Sequence, residues 1–133
     1  MGQPIPTTLW APVTAPFPYS VLYFSDEEED EGKASRANVA LFEKNYNSAD
    51  FSLTQHLDLL KGPLQIHQGL ADEAVPYLWN REFRDKIVKE NKSRSENKIQ
   101  LNYFEYPGTD HNLKPSWDSA MTRDLEFFAK NIK

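Results

Sequence analysis

Two short segments each carry one residue that could take part in acid–base chemistry. Asp72 lies in GLADEAVP (69–76), and His111 lies in YPGTDHNL (106–113). A carboxylate can hold an imidazole in one tautomer, and the imidazole can then move a proton as base and later as acid. These are two of the three members of a hydrolytic triad, so the pair raises the question of where the nucleophile is.

Both residues follow segments with the pattern of a β-strand. The first, PLQIHQG (63–69), is opened by proline and closed by glycine, and the second, IQLNYFEYPG (99–108), alternates in polarity and ends at Pro-Gly. Asp72 and His111 each lie three positions beyond the strand. Because sites in open α/β sheets form beyond the carboxyl ends of strands, adjacent parallel strands would bring the two loops side by side. The 39 positions between the two residues fit one right-handed crossover.

Each residue also has a simpler interpretation. Asp72 could cap the helix that begins near Pro76, and His111 could be an ordinary loop residue. For either motif alone the simpler interpretation is favoured. The two together, in this order and register, favour a site.

The remaining pattern predicts an α/β fold with a parallel sheet, because strands alternate with helices. We expect a further strand at 7–13 and helices at 33–46, 52–62, 75–91 and 117–133. The helix 75–91 should bury Trp79, Phe83 and Ile87. The last helix has an apolar side formed by Trp117, Met121, Leu125, Phe128 and Ile132. Within 63–69, Gln65 and His67 interrupt the apolar run, so either one face is half buried or they are hydrogen-bonded beneath a site.

The composition limits the function classes. The chain has 133 residues, 39% of them hydrophobic, enough for one domain, and its net charge of −5 argues against nucleic acid and anionic membranes as partners. The absence of cysteine excludes a thiolate nucleophile. No signal peptide or membrane span is predicted, so we expect a cytoplasmic protein. The acidic run in 25–32 is interpreted as a solvated face where Ser25 or Asp26 caps a helix, since it lacks the spacing of a calcium loop.

The segments PLQIHQGLADEAVPYLW and YFEYPGTDHNL, followed by an amphipathic helix, resemble the C-terminal third of an α/β-hydrolase. The resemblance is greatest to prolyl oligopeptidase and dienelactone-hydrolase-like enzymes, and it is strong over 63–131 and weaker over 7–62. It implies that residues 1–133 form a single partial domain, a three-layer fragment of a parallel-sheet fold. In this domain, 14–62 would be a lid-like insert, and 63–133 would carry the acid and the histidine. By this resemblance Asp72 is the triad acid and His111 the triad histidine.

The family's serine lies in a Gly-x-Ser-x-Gly turn, and no pair of the five glycines brackets a serine in this way. The serine and the oxyanion hole are therefore expected outside this chain, in the N-terminal part of a longer serine hydrolase. The resemblance implies a peptidase or esterase that acts on small esters or peptides without a cofactor and is inactive as this chain alone. We expect the unpaired edge of the strand 7–13 to bind that N-terminal half or a second copy.

Several alternatives remain open at the level of sequence. Five aromatic residues could line a substrate pocket or serve core packing: Trp10, Phe17, Tyr19, Tyr23 and Phe24. Asp110 is expected to face solvent or cap its loop. The chain could also be an inactive hydrolase-derived interaction module with an acidic binding face. A metal site of His67, Asp72 and His111 is disfavoured, because no helical pair at i and i+4 fixes the ligands.

Overall fold

A computed structural model describes residues 4–132, which form two compact units. One unit comprises the described residues up to Val13 and from Asp58 onward, and the other is Thr14–Leu57. Residues 1–3 and 133 lie outside the described residues. The predictions for the extreme N-terminus and for the last residue of the helix predicted at 117–133 therefore also lie outside them.

Three parallel strands form the sheet of the first unit. They are β1 (Thr7–Trp10), β2 (Leu64–Gly69) and β3 (Leu101–Tyr106), in the spatial order β1-β2-β3. The predicted parallel α/β arrangement is confirmed. Strand β1 is shorter than the predicted 7–13, because the backbone turns at Ala11, which has a φ of 43°.

The chain has four α-helices among its described residues: α1 (Tyr19–Leu22), α2 (Lys33–Glu43), α3 (Tyr77–Ser93) and α4 (Trp117–Asn131). None of the helices in residues 4–132 is long and apolar enough to cross a bilayer. Helix α3 follows β2, and its predicted stripe of Trp79, Phe83 and Ile87 is buried. This periodicity therefore identified the face of α3 that packs in the core.

Helix α4 uses a different face from the one its apolar residues indicate. The buried positions are Ala120, Asp124 and Phe127, whereas Leu125 is 68% and Ile132 61% exposed. The apolar side that the sequence indicates is therefore not the most buried side of this helix. The physical reason is that Asp124 accepts hydrogen bonds from the sheet, as described below, which turns the neighbouring apolar stripe outward.

The unit Thr14–Leu57 contains α1, α2 and several 3₁₀ turns. Helix α2 ends at Glu43 rather than at 46. The helix predicted at 52–62 is not formed, and the chain instead makes 3₁₀ turns at Ser48–Phe51, Leu53–Gln55 and Leu57–Leu59. Short polar side chains here bond the local backbone, as Asn47 does to the N–H of Ala49, and such bonds compete with a continuous helix.

The acidic run serves as the start of α2. The carboxylate of Asp30 accepts hydrogen bonds from the backbone N–H groups of Gly32 and Ala34 at 3.0 and 2.8 Å. Either Ser25 or Asp26 was predicted to cap a helix, but both belong to a separate 3₁₀ turn at Ser25–Glu27. The N-cap residue of α2 is Gly32, and Asp30 bonds the start of the helix from two positions earlier, where the helix dipole favours an acid.

Candidate active site

The two sequence-predicted site residues lie in contact. The Nδ1 atom of His111 is 3.0 Å from Oδ2 of Asp72. The Asp72 side chain is fully buried, whereas 45% of the His111 side chain is exposed. Because a carboxylate can only accept, His111 donates through Nδ1, and in the neutral ring Nε2 is left as the basic nitrogen.

The carboxylate of Asp72 is fixed by three further donors. Its Oδ1 accepts from the backbone N–H groups of Ala74 and Val75 at 2.9 and 2.8 Å, and Oδ2 accepts from Gln68 Nε2 at 3.2 Å. Gln68 is itself buried and accepts from the amide of Asn80 on α3 at 2.5 Å. Asp72 therefore bonds the backbone of its own loop rather than the first turn of α3, which has no side-chain cap, and it also orients His111. The sequence analysis missed Gln68 and Asn80, because nothing in their spacing distinguishes them from surface amides.

The loops that carry the two residues are packed directly against each other. Gly69 and Tyr106 are paired at the ends of β2 and β3, and the N–H of Ala71 donates to the carbonyl of Thr109 at 2.9 Å. A Cβ atom at Gly69 would lie 2.3 Å from the carbonyl oxygen of Thr109 and 2.5 Å from that of Asp110. Only glycine permits this approach, which sets the separation of Asp72 and His111.

We expect Gly69→Ala to push the two loops apart and break the contact between His111 and Asp72. Overpacking against rigid backbone should lower the free energy of unfolding by about 1–3 kcal/mol, measured by urea denaturation. Gly108→Asn is the matched control: Gly108 has a φ of +67° and open space around it, and asparagine tolerates that conformation. Equal stability of the Gly69→Ala variant and the wild type would contradict this account.

The loop that carries His111 is held in one conformation. Asp110 donates its N–H to the carbonyl of Lys114, and its carboxylate accepts from the Lys114 N–H, both at 2.9 Å. Asp110 therefore caps the loop, one of the two roles expected for it. Leu113, buried to 1% exposure, adopts a left-handed φ of 60°. Strained backbone of this kind persists only where the surroundings over-determine it, and it is concentrated at functional sites.

A cavity of about 560 Å³ opens beside His111. Its lining comprises Trp10, His111, Asn112, Leu113, Lys114 and Trp117. The rings of Trp10 and Trp117 meet edge to face with centroids 4.9 Å apart. Among the five aromatic residues considered for a pocket, Trp10 is the one in this lining. Phe17 instead packs on Phe42 within the unit Thr14–Leu57.

The question about the polar residues of β2 is resolved in favour of buried hydrogen bonds. Gln65 and His67 are fully buried and both contact Oδ1 of Asp124, at 2.8 and 2.9 Å. Thr8 and Trp10 of β1 also donate to this carboxylate, at 2.6 and 2.8 Å. Asp124 was missed by the sequence analysis, because an acid in an amphipathic helix ordinarily faces solvent.

His67 and His111 use opposite ring nitrogens. His67 donates to Asp124 through Nε2 and accepts through Nδ1 from the Tyr106 hydroxyl at 2.6 Å. Burial lowers the pKa of His67 and outweighs the hydrogen bond to Asp124. For Asp124, burial alone would raise the pKa, but the hydrogen bonds from Thr8, Gln65, Trp10 and His67 together hold it below its usual value. The pair therefore consists of a neutral imidazole and an ionised carboxylate.

This pairing predicts that the protein loses stability on mild acidification. The pKa of His67 is lowered from 6.5 on folding, so the unfolded chain binds the proton more readily. The free energy of unfolding should fall as the pH drops below about 6.5, with a slope of up to about 1.4 kcal/mol per pH unit. The lowered pKa of Asp124 acts only at lower pH, below its ordinary value of 3.8.

Urea denaturation between pH 7.5 and 5 measures that slope. The variant His67→Gln should show a flatter profile, and His56→Gln, which removes a histidine from the other unit, should keep the wild-type profile. A wild-type profile with no slope over this range would show that His67 is protonated alike in the folded and unfolded chain.

Within residues 4–132, no group of three or more histidine, aspartate or glutamate side chains is placed to hold a metal ion. The three residues of the metal alternative are divided between two pairs, since His67 bonds Asp124 whereas Asp72 bonds His111. Comparisons with protein-family models, curated proteins and solved structures find no match to this chain.

Proposed function

We propose that this chain supplies the acid and the histidine of a serine hydrolase of the α/β-hydrolase type. The observation that carries the proposal is the contact between His111 Nδ1 and Asp72 Oδ2, made by loops that follow two adjacent parallel strands. The buried carboxylate would hold the ring with Nε2 free, and the exposed ring would deliver that nitrogen to a reactant.

In the proposed reaction, Nε2 of His111 takes the proton of a serine hydroxyl as it attacks an ester or peptide carbonyl. The protonated ring, stabilised by Asp72, then gives that proton to the leaving group, and the same cycle with water releases the acyl group. The nucleophile and the oxyanion-binding groups come from another segment. Among residues 4–132, no serine hydroxyl is hydrogen-bonded to the His111 ring, which is consistent with a serine supplied from elsewhere.

Two exposed features support a covering segment next to this unit. Strand β1 pairs only with β2 among the described strands, so no strand pairs with its other edge. The outward stripe of α4, with Leu125 and Ile132 each more than 60% exposed, lies on the helix whose Asp124 bonds β1. Both features suit a further strand and its packing partner, which a complete hydrolase sheet would provide.

The isolated chain is therefore expected to self-associate through the β1 edge. Light scattering at about 0.1 mM should give a mass above that of one chain, because an open edge and an apolar stripe bury each other. A Leu125→Lys variant, which places a charge in the exposed apolar stripe of α4, should reduce the association. A monomer under these conditions would contradict the expectation.

The proposed function is tested by intact mass after incubation with a fluorophosphonate, which bonds to an activated serine. The chain alone should show no added mass. The upstream reading frame should contain a Gly-x-Ser-x-Gly turn within roughly 100 residues, as the order of the fold requires. The extended chain should be labelled, and His111→Ala should abolish the labelling. An extended chain that is never labelled would refute the proposal, and labelling of this chain alone would place the nucleophile within it.

The alternative function, an inactive module that binds through its acidic face, is less well supported. Four of the six acids are already engaged nearby: Asp26 with Arg36, Glu28 with Ser35, Glu31 with Lys33, and Asp30 with the start of α2. High affinity for a strongly basic partner, lost when these acids are neutralised, would favour it.

A further inference from the structure

The cavity beside His111 combines an aromatic wall with a positive charge. Trp10 and Trp117 form the wall, and Leu113 contributes apolar surface from its buried position. Within residues 4–132, Lys114 is the one lysine or arginine of the lining, and no aspartate or glutamate lines it. The lining therefore carries one positive charge, and the nearby carboxylate of Asp110 accepts from the backbone N–H of Lys114.

One half of the aromatic wall, the Trp10 ring, is fixed before any ligand arrives. The indole N–H of Trp10 donates to Asp124 Oδ2 at 2.8 Å, and Asp124 is also bonded by Thr8, Gln65 and His67. This anchor leaves the Trp10 ring with no free donor, so it offers a ligand only its apolar surface. A wall held in this way loses little conformational entropy when a ligand binds.

Lys114 is held at the rim by its backbone. Its N–H and its carbonyl are both bonded to Asp110, at 2.9 Å each. Its ammonium forms no ion pair with any acid in residues 4–132. The side chain is therefore available to an anionic group on a ligand that lies against the tryptophans.

We propose that this cavity binds a planar aromatic group that carries a carboxylate. The ring lies against Trp10 and Trp117, and the carboxylate meets Lys114. A volume of about 560 Å³ is within the range of small-molecule sites and accommodates a two-ring compound. An aromatic cation would also be attracted by the indole faces, but the ammonium of Lys114 opposes it.

If the proposed hydrolase function holds, the cavity binds the leaving-group side of the substrate. This assignment of a substrate class rests on the proposed function. The Nδ1 atom of His111 is occupied by Asp72, so Nε2 is the nitrogen available to a ligand in the cavity. A proton given by Nε2 passes to the leaving group. The substrate class would then be an ester or amide whose leaving group is an aromatic alcohol or amine with an acidic substituent.

The test is a titration of the ¹⁵N-labelled chain with three probes: indole-3-acetate, indole-3-acetamide and tryptamine. We expect saturable shifts of the Asn112, Lys114 and Trp117 signals, and binding of the acetate about three- to fivefold tighter than binding of the acetamide. The variant Lys114→Met should remove that difference, whereas Lys89→Met, which replaces an exposed lysine of α3, should keep it. Trp117→Ala should weaken both indoles by about 2- to 10-fold.

Shifts confined to other residues, equal affinity for the acetate and the acetamide, or tightest binding of tryptamine would each overturn the proposal. Because binding needs no nucleophile, the result is separable from the hydrolase test. Labelling of the extended chain without probe binding would refute the subsite alone, and probe binding without labelling would refute the hydrolase alone.

Discussion

Replacing Asp72 by asparagine is expected to change the tautomer of the neutral His111 ring, so that its one N–H proton lies on Nε2 and not on Nδ1. The backbone N–H groups of Ala74 and Val75 donate to Oδ1, so the amide oxygen of asparagine should take that place. Its NH₂ group would then replace Oδ2 beside His111 Nδ1 and donate to it. A ring protonated at Nε2 cannot act as a base toward serine, and in serine proteases the corresponding change lowers kcat by about 10⁴-fold.

The tautomer is measured on this chain from the ¹⁵N shifts of the His111 ring, and the rate is measured on the extended, fluorophosphonate-reactive chain. Asp110→Asn is the matched control, because asparagine can still accept from the Lys114 N–H. It should keep the Nδ1–H tautomer and most of the activity. An unchanged tautomer in Asp72→Asn would show that the carboxylate does not select the protonated nitrogen.

Replacing Asp124 by alanine is expected to cause the largest loss of stability. Four side-chain donors would lose their shared acceptor at once, and two of them, Gln65 and His67, are fully buried. Removing one partner from a buried charged network costs about 3–5 kcal/mol. Since small domains are only marginally stable, the variant should be largely unfolded at 37 °C.

Thermal and urea denaturation followed by circular dichroism measure this loss. Glu126→Ala removes an exposed acid from the same helix and should leave stability within about 0.5 kcal/mol of the wild type. Asp124→Asn should fall between the two, because its oxygen can accept from only some of the four donors. A stable Asp124→Ala variant would mean that water satisfies these donors as well as the carboxylate does.

The sequence predicted the parts of the fold that depend on periodicity and chain connectivity. The stripe of Trp79, Phe83 and Ile87 is apolar and buried, so a pattern rule finds it. The meeting of Asp72 and His111 follows from two parallel strands and one crossover, and it required no knowledge of side-chain packing. Their catalytic role remains a proposal.

Hydropathy does not predict which polar residues of this chain are buried. Asp124 faces the sheet because it bonds β1 and β2, and its apolar neighbour Leu125 is exposed as a result. No property of a single side chain indicates that it will be satisfied by residues more than fifty positions away. Gln68, which supports Asp72 from within β2, was missed because a strand glutamine shows no sign in the sequence that it is buried.

The alternation of polar contacts along β2 also fixes which strand alignment the chain can adopt. Gln65 and His67 bond Asp124 on α4, whereas Gln68 bonds Asn80 on α3, so the two faces of the strand have different hydrogen-bonding demands. A slip of one residue would turn each side chain to the opposite face and set Ile66 against the carboxylate of Asp124. An all-aliphatic strand of the same length would tolerate such a slip. The buried network therefore stabilises one register of β2 over others that would bury similar hydrophobic area. That register is the one that places Asp72 beside His111.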